Sequence, residues 1–326
     1  MIARLSAAAV EAFLRALSLL PLPAAHGLGW VVGTLLWLIP NPARKHAWAN
    51  IRFCLPELSR RERRRLLRRS LQEAGKTGTE TGIMWYASPR RLERVVHGVD
   101  GQALLDAGVD SGKGVLVIIP HLGSWELMAT YFGNRLPLNS MYRPPRMRLF
   151  EPIIRRARGR TGGRLWPATP PGVRGAFKVL RQGEVLGVLP DQLPAEAGVY
   201  ADFFGIPAKT MTLVPRLAQK TGAMVLTVVA ERLPWGRGYR IRFQRAPEGV
   251  RDPDVGRAAA AMNDAIEALV RALPEQYQWT YRRFRDRPVG VKSPYSQPKE
   301  FAASLEAWKA RGRPGQPQRV KKGTRS

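Results

Sequence analysis

The stretch Gly114-Val-Leu-Val-Ile-Ile-Pro-His121-Leu-Gly-Ser-Trp-Glu126 decides how this chain is expected to fold. It begins with a β-branched apolar run between a glycine and a proline, which is typical of a strand buried on both faces. The run ends on a histidine, and a glutamate follows five residues later. The stretch therefore predicts an active site at the end of a buried strand.

The two ionisable residues can meet only if a helix begins between them. In one continuous helix His121 and Glu126 would lie about 140° apart. If Gly123 and Ser124 open the helix, with Ser124 as the N-cap, Glu126 falls in the first turn. Its carboxylate would then accept the Nδ1 proton of His121 and leave Nε2 free as a general base. No serine or cysteine nucleophile stands where a catalytic triad would need one.

Spacing alone does not establish such a pair. With four histidines and 25 acidic residues among 326 positions, roughly 0.3 pairs of this spacing are expected by chance. The alternative is a turn histidine that caps a helix. The rest of the chain has to decide between them.

Apolar segments with strand and helix patterns alternate after this stretch. Predicted strands cover residues 139–142, 185–189, 224–230 and 239–243, and predicted helices cover residues 148–158, 173–181, 212–220 and 255–273. This order predicts an α/β fold with a mainly parallel central sheet flanked by helices. The glycines between residues 159 and 163 lack the lysine and spacing of a phosphate-binding loop.

The composition restricts the partners. A single cysteine excludes an internal disulfide and a cysteine-based zinc cluster, and the four histidines are too scattered to predict a metal site. The net charge of +28 predicts a polyanionic partner. Because no zinc finger, ribonucleoprotein signature or basic zipper is present, nucleic acid is not the expected partner.

Three regions are expected along the chain. Residues 1–45 form an N-terminal membrane anchor, since residues 16–43 carry no charged side chain and are long enough to cross a bilayer. Either a kinked span or an interfacial hairpin fits, and Trp30, Trp37 and Trp48 favour the span as interfacial anchors. Basic residues after this segment place the body on the cytoplasmic side.

The main domain covers residues 46–286 and begins with an arginine-rich helix behind a Ser59/Glu62 capping box. This helix can rest on anionic headgroups, with about 1 kcal/mol per basic residue near the surface. Residues 287–326 contain ten Lys or Arg, two Glu and repeated Pro and Gly, so the sequence predicts a disordered basic tail.

Several segments in order carry a family resemblance. They are Asn41-Pro42, Pro56-Glu57-Leu58-Ser59, the His121/Glu126 motif, Tyr142-Arg143-Pro144, Asp191-Gln192 and Phe203-Phe204-Gly205. From the N-terminal segment through about residue 285, the chain closely resembles the bacterial lipid A late acyltransferases. That family adds secondary acyl chains to the lipid A precursor and takes them from acyl carrier protein thioesters.

The resemblance implies direct acyl transfer without an acyl-enzyme or a cofactor. His121 would be the general base and Glu126 its orienting partner. Arg158 matches an arginine of the family and would stabilise the thioester oxyanion or bind a substrate phosphate, and the helix amides after Gly123 would be further oxyanion donors.

Four more residues are expected to contact the substrate. Arg143 and Arg156 are weaker candidates than Arg158 for phosphate binding, and for each a plain surface charge is the favoured alternative. Asp191 would order those arginines or the glucosamine headgroup, with a loop-capping aspartate as the alternative. Gln192 is expected beside it.

The resemblance also implies the partners and the location. The partners would be acyl carrier protein, a phosphorylated glycolipid and the membrane, with the catalytic domain on the cytoplasmic face of the bacterial inner membrane. A lysophospholipid or ornithine-lipid acyltransferase on the same fold is the alternative. A catalytically dead basic protein that binds membrane or nucleic acid is the remote one.

Overall fold

The computed structural model of the protein describes residues 2–133, 136–145, 150–194 and 198–312. The helices are α1 (Ile2–Leu19), α2 (Leu22–Leu38), α3 (Pro42–Cys54), α4 (Arg60–Tyr86), α5 (Pro89–Glu93), α6 (Gln102–Asp110), α7 (Leu127–Gly133), α8 (Glu151–Gly159), α9 (Pro170–Arg181), α10 (Leu213–Thr221), α11 (Val255–Ala272) and α12 (Pro298–Ala310). The strands are β1 (Val96–Asp100), β2 (Val115–Ile118), β3 (Leu138–Tyr142), β4 (Leu165–Pro167), β5 (Val185–Val188), β6 (Gly198–Phe203), β7 (Ile206–Met211), β8 (Met224–Arg232) and β9 (Tyr239–Arg245).

Seven of these strands form one sheet in the order β1-β9-β8-β2-β5-β3-β4, and β6 and β7 form a separate antiparallel hairpin. Neighbours in the large sheet are parallel except for β8 and β9. Strand β2 lies between β5 and β8, so all its side chains are buried. The predicted α/β fold with a mainly parallel sheet is confirmed.

Side chains that alternate along β2 enter two hydrophobic cores, because successive residues of a strand point to opposite faces. Leu116 and Ile118 belong to the core that α9, α10 and α11 cover. Val115 and Val117 belong to the core that α4, α6 and α7 cover. Because helices cover both faces of β2 and strands flank it, a site can form at the end of this strand.

The predicted N-terminal span is divided between separate helices. Across the described residues no single helix combines the length and the apolar character needed to cross a membrane; α2 and α3 together do, but they are bent by 81°. Helix α2 packs closely along α4, where the backbones of Lys76 and Gln72 leave no room for a Cβ at Gly29 and Gly33. The membrane anchor stays a prediction, and its predicted boundary at residue 45 falls inside α3.

Helix α4 begins at the predicted capping box. The Ser59 hydroxyl accepts from the Glu62 amide at 3.3 Å, and the Glu62 carboxylate accepts from the Ser59 amide at 2.8 Å. The helix then continues for 27 residues to Tyr86. Its length lets it contact α1, α2 and α3, so it connects the N-terminal helices to the sheet.

The predicted disorder of the C-terminal tail is wrong for residues 287–312. Helix α12 buries Phe301, Leu305 and Trp308, which are spaced to lie on one helical face. Just before it, the Tyr295 hydroxyl donates to Asn50 Oδ1 at 2.8 Å. Part of the tail is therefore packed on the main domain; residues 313–326 lie outside the described residues.

Candidate active site

Two adjacent parallel strands bring a histidine and an aspartate together. Strand β2 (Val115–Ile118) and strand β5 (Val185–Val188) pair residue for residue. His121 and Asp191 each come three residues after the last pair. Their side chains meet, with 2.8 Å between His121 Nδ1 and Asp191 Oδ1, and the His121 amide donates to Asp191 Oδ2 at 3.0 Å.

Electrostatic interactions within this pair favour the ionised form of Asp191. Asp191 is 1% exposed and His121 is 16% exposed. Burial by itself would raise the pKa of Asp191, but the charge and hydrogen bonds of His121 lower that pKa below its ordinary value. An ionised carboxylate only accepts hydrogen bonds, so Nδ1 must be the donor. Within the described residues Nε2 has no hydrogen-bond partner, which leaves it available for proton transfer.

A glycine shapes the turn that carries the histidine. Gly123 has a φ of 62°, and a Cβ there would collide with the Ala230 carbonyl. The Gly123 amide donates to the Gln276 carbonyl at 3.2 Å, and the Ser124 amide donates to the Ala230 carbonyl at 2.9 Å. Of the amides after Gly123 that were predicted as oxyanion donors, that of Ser124 is therefore already engaged.

The predicted hydrogen bond between Glu126 and His121 is wrong. Helix α7 begins only at Leu127, so Glu126 precedes the helix instead of lying in its first turn. Its carboxylate accepts from Arg158 Nε at 3.0 Å and from Trp85 Nε1 at 2.9 Å, and it also pairs with Arg158 Nη2. Although burial opposes it, Arg158 holds the pKa of Glu126 below its ordinary value.

The other predicted substrate-binding residues lie in two places. The exposed Arg143 and the partly buried Gln192 line the same cleft. Arg156 points elsewhere, since its guanidinium donates to Glu11 Oε1 at 3.1 Å. Arg143 and Gln192 are thus brought together, and Arg156 is not with them.

Comparison with known proteins identifies the family to which this sequence is similar. The sequence model of the bacterial lipid A biosynthesis acyltransferases matches residues 3–286, which include every site residue described above. The chain belongs to this family. The protein is therefore an acyltransferase, as the sequence predicts.

Individual relatives of the acyltransferase match along most of their length. It is 30% identical over 280 residues to the lipid A biosynthesis lauroyltransferase of Escherichia coli K12, covering 85% of this chain and 90% of that protein. It is 31% identical over 278 residues to the lipid A biosynthesis palmitoleoyltransferase of the same organism, with the same coverage. The lipid A biosynthesis myristoyltransferase of that organism is 25% identical over 272 residues, or 82% of each chain.

A buried ion cluster that the sequence did not reveal supports the turn that carries His121. Arg232, at the end of β8, is 1% exposed. It donates to both oxygens of Glu80 at 2.9 and 2.6 Å, to Glu73 at 2.8 Å, and to the Gly123 carbonyl at 3.1 Å. Glu80 lies 152 residues away in sequence, so no local pattern could have indicated this contact. The cluster connects α4 directly to the turn that carries His121.

Replacing Arg232 with methionine is expected to lower the free energy of unfolding by about 3 kcal/mol, because the buried Glu80 would lose its guanidinium partner and keep its contacts with His26 and Tyr239. Chemical denaturation followed by circular dichroism measures this loss. The exposed Arg245 on β9 is the matched control, and its replacement with methionine should change stability by less than about 0.5 kcal/mol. Equal losses in the two variants would contradict the role of the cluster.

The pH dependence of stability follows from the same contact. Despite its burial, Glu80 has a pKa held well below the ordinary value by the Arg232 guanidinium. The stabilisation is therefore present above the unfolded-state pKa of about 4 and is lost as the pH falls through the lower folded-state pKa. The Arg232→Met variant should lose this part of the acid dependence of unfolding.

Proposed function

We propose that this acyltransferase moves a fatty acyl chain from an acyl carrier protein thioester to a hydroxyl group of a lipid A precursor. The observation that carries the proposal is the open Nε2 of His121, whose Nδ1 is held by an ionised Asp191. A neutral imidazole in that tautomer is suited to take a proton from a hydroxyl group. The names of the three relatives support a fatty acyl donor and lipid A as the product.

In the proposed reaction His121 Nε2 removes the proton of the acceptor hydroxyl as its oxygen attacks the thioester carbonyl. A carbon–oxygen bond forms, the carbon–sulfur bond breaks, and the leaving thiolate receives the proton from the imidazolium. Asp191 stabilises that imidazolium and keeps the ring in one orientation. No acyl-enzyme forms, and no cofactor enters the balance.

Glu126 takes a different role from the one expected from its spacing. It binds Arg158 through two guanidinium nitrogens and is itself held by Trp85. A guanidinium fixed in this way is suited to stabilise negative charge on the thioester oxygen. We therefore assign the proton transfer to His121, the orientation of the imidazole to Asp191, and the positioning of Arg158 to Glu126.

The proposal includes a location at the cytoplasmic face of the bacterial inner membrane. Large apolar side chains of α1 and α2 are exposed: Phe13, Leu19, Trp30, Leu35 and Leu38 are each between 49% and 80% exposed. The arginines of the first turns of α4 follow these helices after α3. Apolar contact and attraction to anionic headgroups would act together at such a surface.

Acyl transfer by the purified protein tests this function. The protein is incubated with an acyl carrier protein thioester and a lipid A precursor, and mass spectrometry follows the acceptor. We expect the mass of the acceptor to increase by one acyl group and free carrier thiol to appear in equal amount. A lysophospholipid and an ornithine lipid serve as parallel acceptors, and an acyl coenzyme A thioester serves as an alternative donor. Preferential acylation of either other lipid would contradict the assignment of the acceptor.

A further inference from the structure

A cleft of about 550 Å³ opens beside the catalytic pair. Its lining includes three arginines from two distant parts of the chain, Arg143 after β3 and Arg282 and Arg285 after α11. His46, Gln192, Thr280 and Tyr281 complete the polar part of the lining, and none of the described residues that line the cleft is acidic. The cleft therefore concentrates positive charge.

The three arginines differ from Arg156 and Arg158 in their ion pairing within the described part of the chain. Among the described residues, no carboxylate lies within ion-pair distance of Arg143, Arg282 or Arg285, and all three are exposed. In contrast, Arg156 and Arg158 are engaged by glutamates. Guanidinium groups gathered without carboxylates repel one another, so such an arrangement favours an anionic ligand.

The pKa of the histidine in the cleft is affected by the same positive charges. Partial burial, together with the charges of Arg282 and Lys45, lowers the pKa of His46 below its ordinary value. His46 is thus mainly neutral near pH 7, and an anion in the cleft would be bound by the guanidinium groups. The ring of His46 is fixed edge-on against Tyr295, with centroids 5.4 Å apart.

The cleft shares its wall with the catalytic pair. Gln192 follows Asp191 directly, and its Nε2 donates to Gln278 Oε1 at 2.8 Å. The amide of Gln278 in turn donates to the His121 carbonyl at 3.0 Å. A ligand in the cleft would therefore lie next to the segment that positions the proposed base.

We propose that Arg143, Arg282 and Arg285 bind a phosphate group of the acceptor lipid and hold its sugar headgroup beside His121. This inference rests on the proposed function, because it assigns the anion to the acceptor. Arginine suits the task, since its planar donors pair with two phosphate oxygens at once. The binding is made equally in the ground state and the transition state, so it affects KM more than kcat.

The test compares a phosphorylated lipid A precursor with the same lipid after enzymatic dephosphorylation. Arg282→Gln and Arg285→Gln are each expected to raise the KM for the phosphorylated acceptor by about 10-fold, the size of a lost hydrogen bond to a charged group. The KM for the dephosphorylated acceptor and the KM for the acyl donor should stay unchanged. Arg245→Gln is the matched control, because Arg245 is an exposed arginine on β9 that does not line the cleft; it should change neither constant.

Equilibrium binding of the two lipids in detergent micelles gives a second readout that does not need turnover. Tighter binding of the phosphorylated lipid, lost in Arg282→Gln, supports the inference even where no acyl group moves, and in that case the proposed function alone fails. Acyl transfer by every variant with unchanged constants overturns the inference and leaves the proposed function standing. A KM that rises equally for both acceptors also overturns it, because phosphate would then not be recognised.

Discussion

Replacing His121 with alanine is expected to lower kcat by about 10² to 10⁴-fold, the range that removal of a general base produces. The reason is the open Nε2, which in the proposed reaction is the only group that takes the proton of the acceptor hydroxyl. Acyl transfer from the acyl carrier protein thioester to the lipid A precursor is the assay. The KM for the acceptor should change little, since the imidazole contributes mainly in the transition state.

The control for this variant is another histidine in the same chain. His97 lies on β1 at the edge of the sheet and is exposed. His97→Ala should keep wild-type turnover and wild-type stability. A folded His121→Ala protein with turnover near that of the wild type would refute the role of His121 as the base.

The sequence could predict the sheet because its signals are local. The run Val115–Ile119 and the run Val185–Leu189 are short and apolar, each is followed by a proline, and both form central strands. The predicted helices at residues 173–181 and 255–273 also lie within one to three residues of those observed. Each buried strand or amphipathic helix has a hydrophobic pattern within its own sequence, so it can be predicted without knowledge of the elements that it packs against.

Local spacing does not predict the hydrogen-bond partner of His121. Glu126 is only five residues from His121, so spacing favours it as the partner, whereas Asp191 is 70 residues away. One signal was available: Val115-Leu-Val-Ile-Ile-Pro-His121 and Val185-Leu-Gly-Val-Leu-Pro-Asp191 have the same pattern. If two such strands pair in parallel and in register, their last residues must be neighbours.

The C-terminal tail shows the limit of reasoning from composition. Its charge, proline and glycine content predicted disorder, yet Phe301, Leu305 and Trp308 are buried against the main domain. Three apolar residues at helical spacing are enough to dock a helix when a complementary surface exists. That surface includes Phe53, whose ring packs against the ring of Phe301 with centroids 4.6 Å apart. No pattern within the tail indicates that such a surface exists.

Changing Asp191 to asparagine is expected to lower kcat by about as much as removing His121. The variant loses the negative charge that stabilises the imidazolium, and an amide N–H in place of the carboxylate can donate to Nδ1 and move the ring proton to Nε2. In catalytic triads the corresponding change costs about 10⁴-fold. The matched comparison is Glu126→Gln, which also removes one carboxylate charge but at the residue bound to Arg158.

The pH dependence of kcat separates the two carboxylates. Without the anion of Asp191 the protonated imidazole is less favoured, so the acid limb of the pH profile should move to lower pH in Asp191→Asn. In Glu126→Gln the acid limb should move less, because Glu126 interacts with His121 only through space and its charge is offset by Arg158. The loss of kcat should also be smaller, because the amide oxygen can still accept one hydrogen bond from Arg158. The opposite result, a shifted limb in Glu126→Gln and a normal one in Asp191→Asn, would mean that Glu126 orients His121 during catalysis. His121 would then exchange partners when substrate binds, and the contact with Asp191 would belong to the free enzyme.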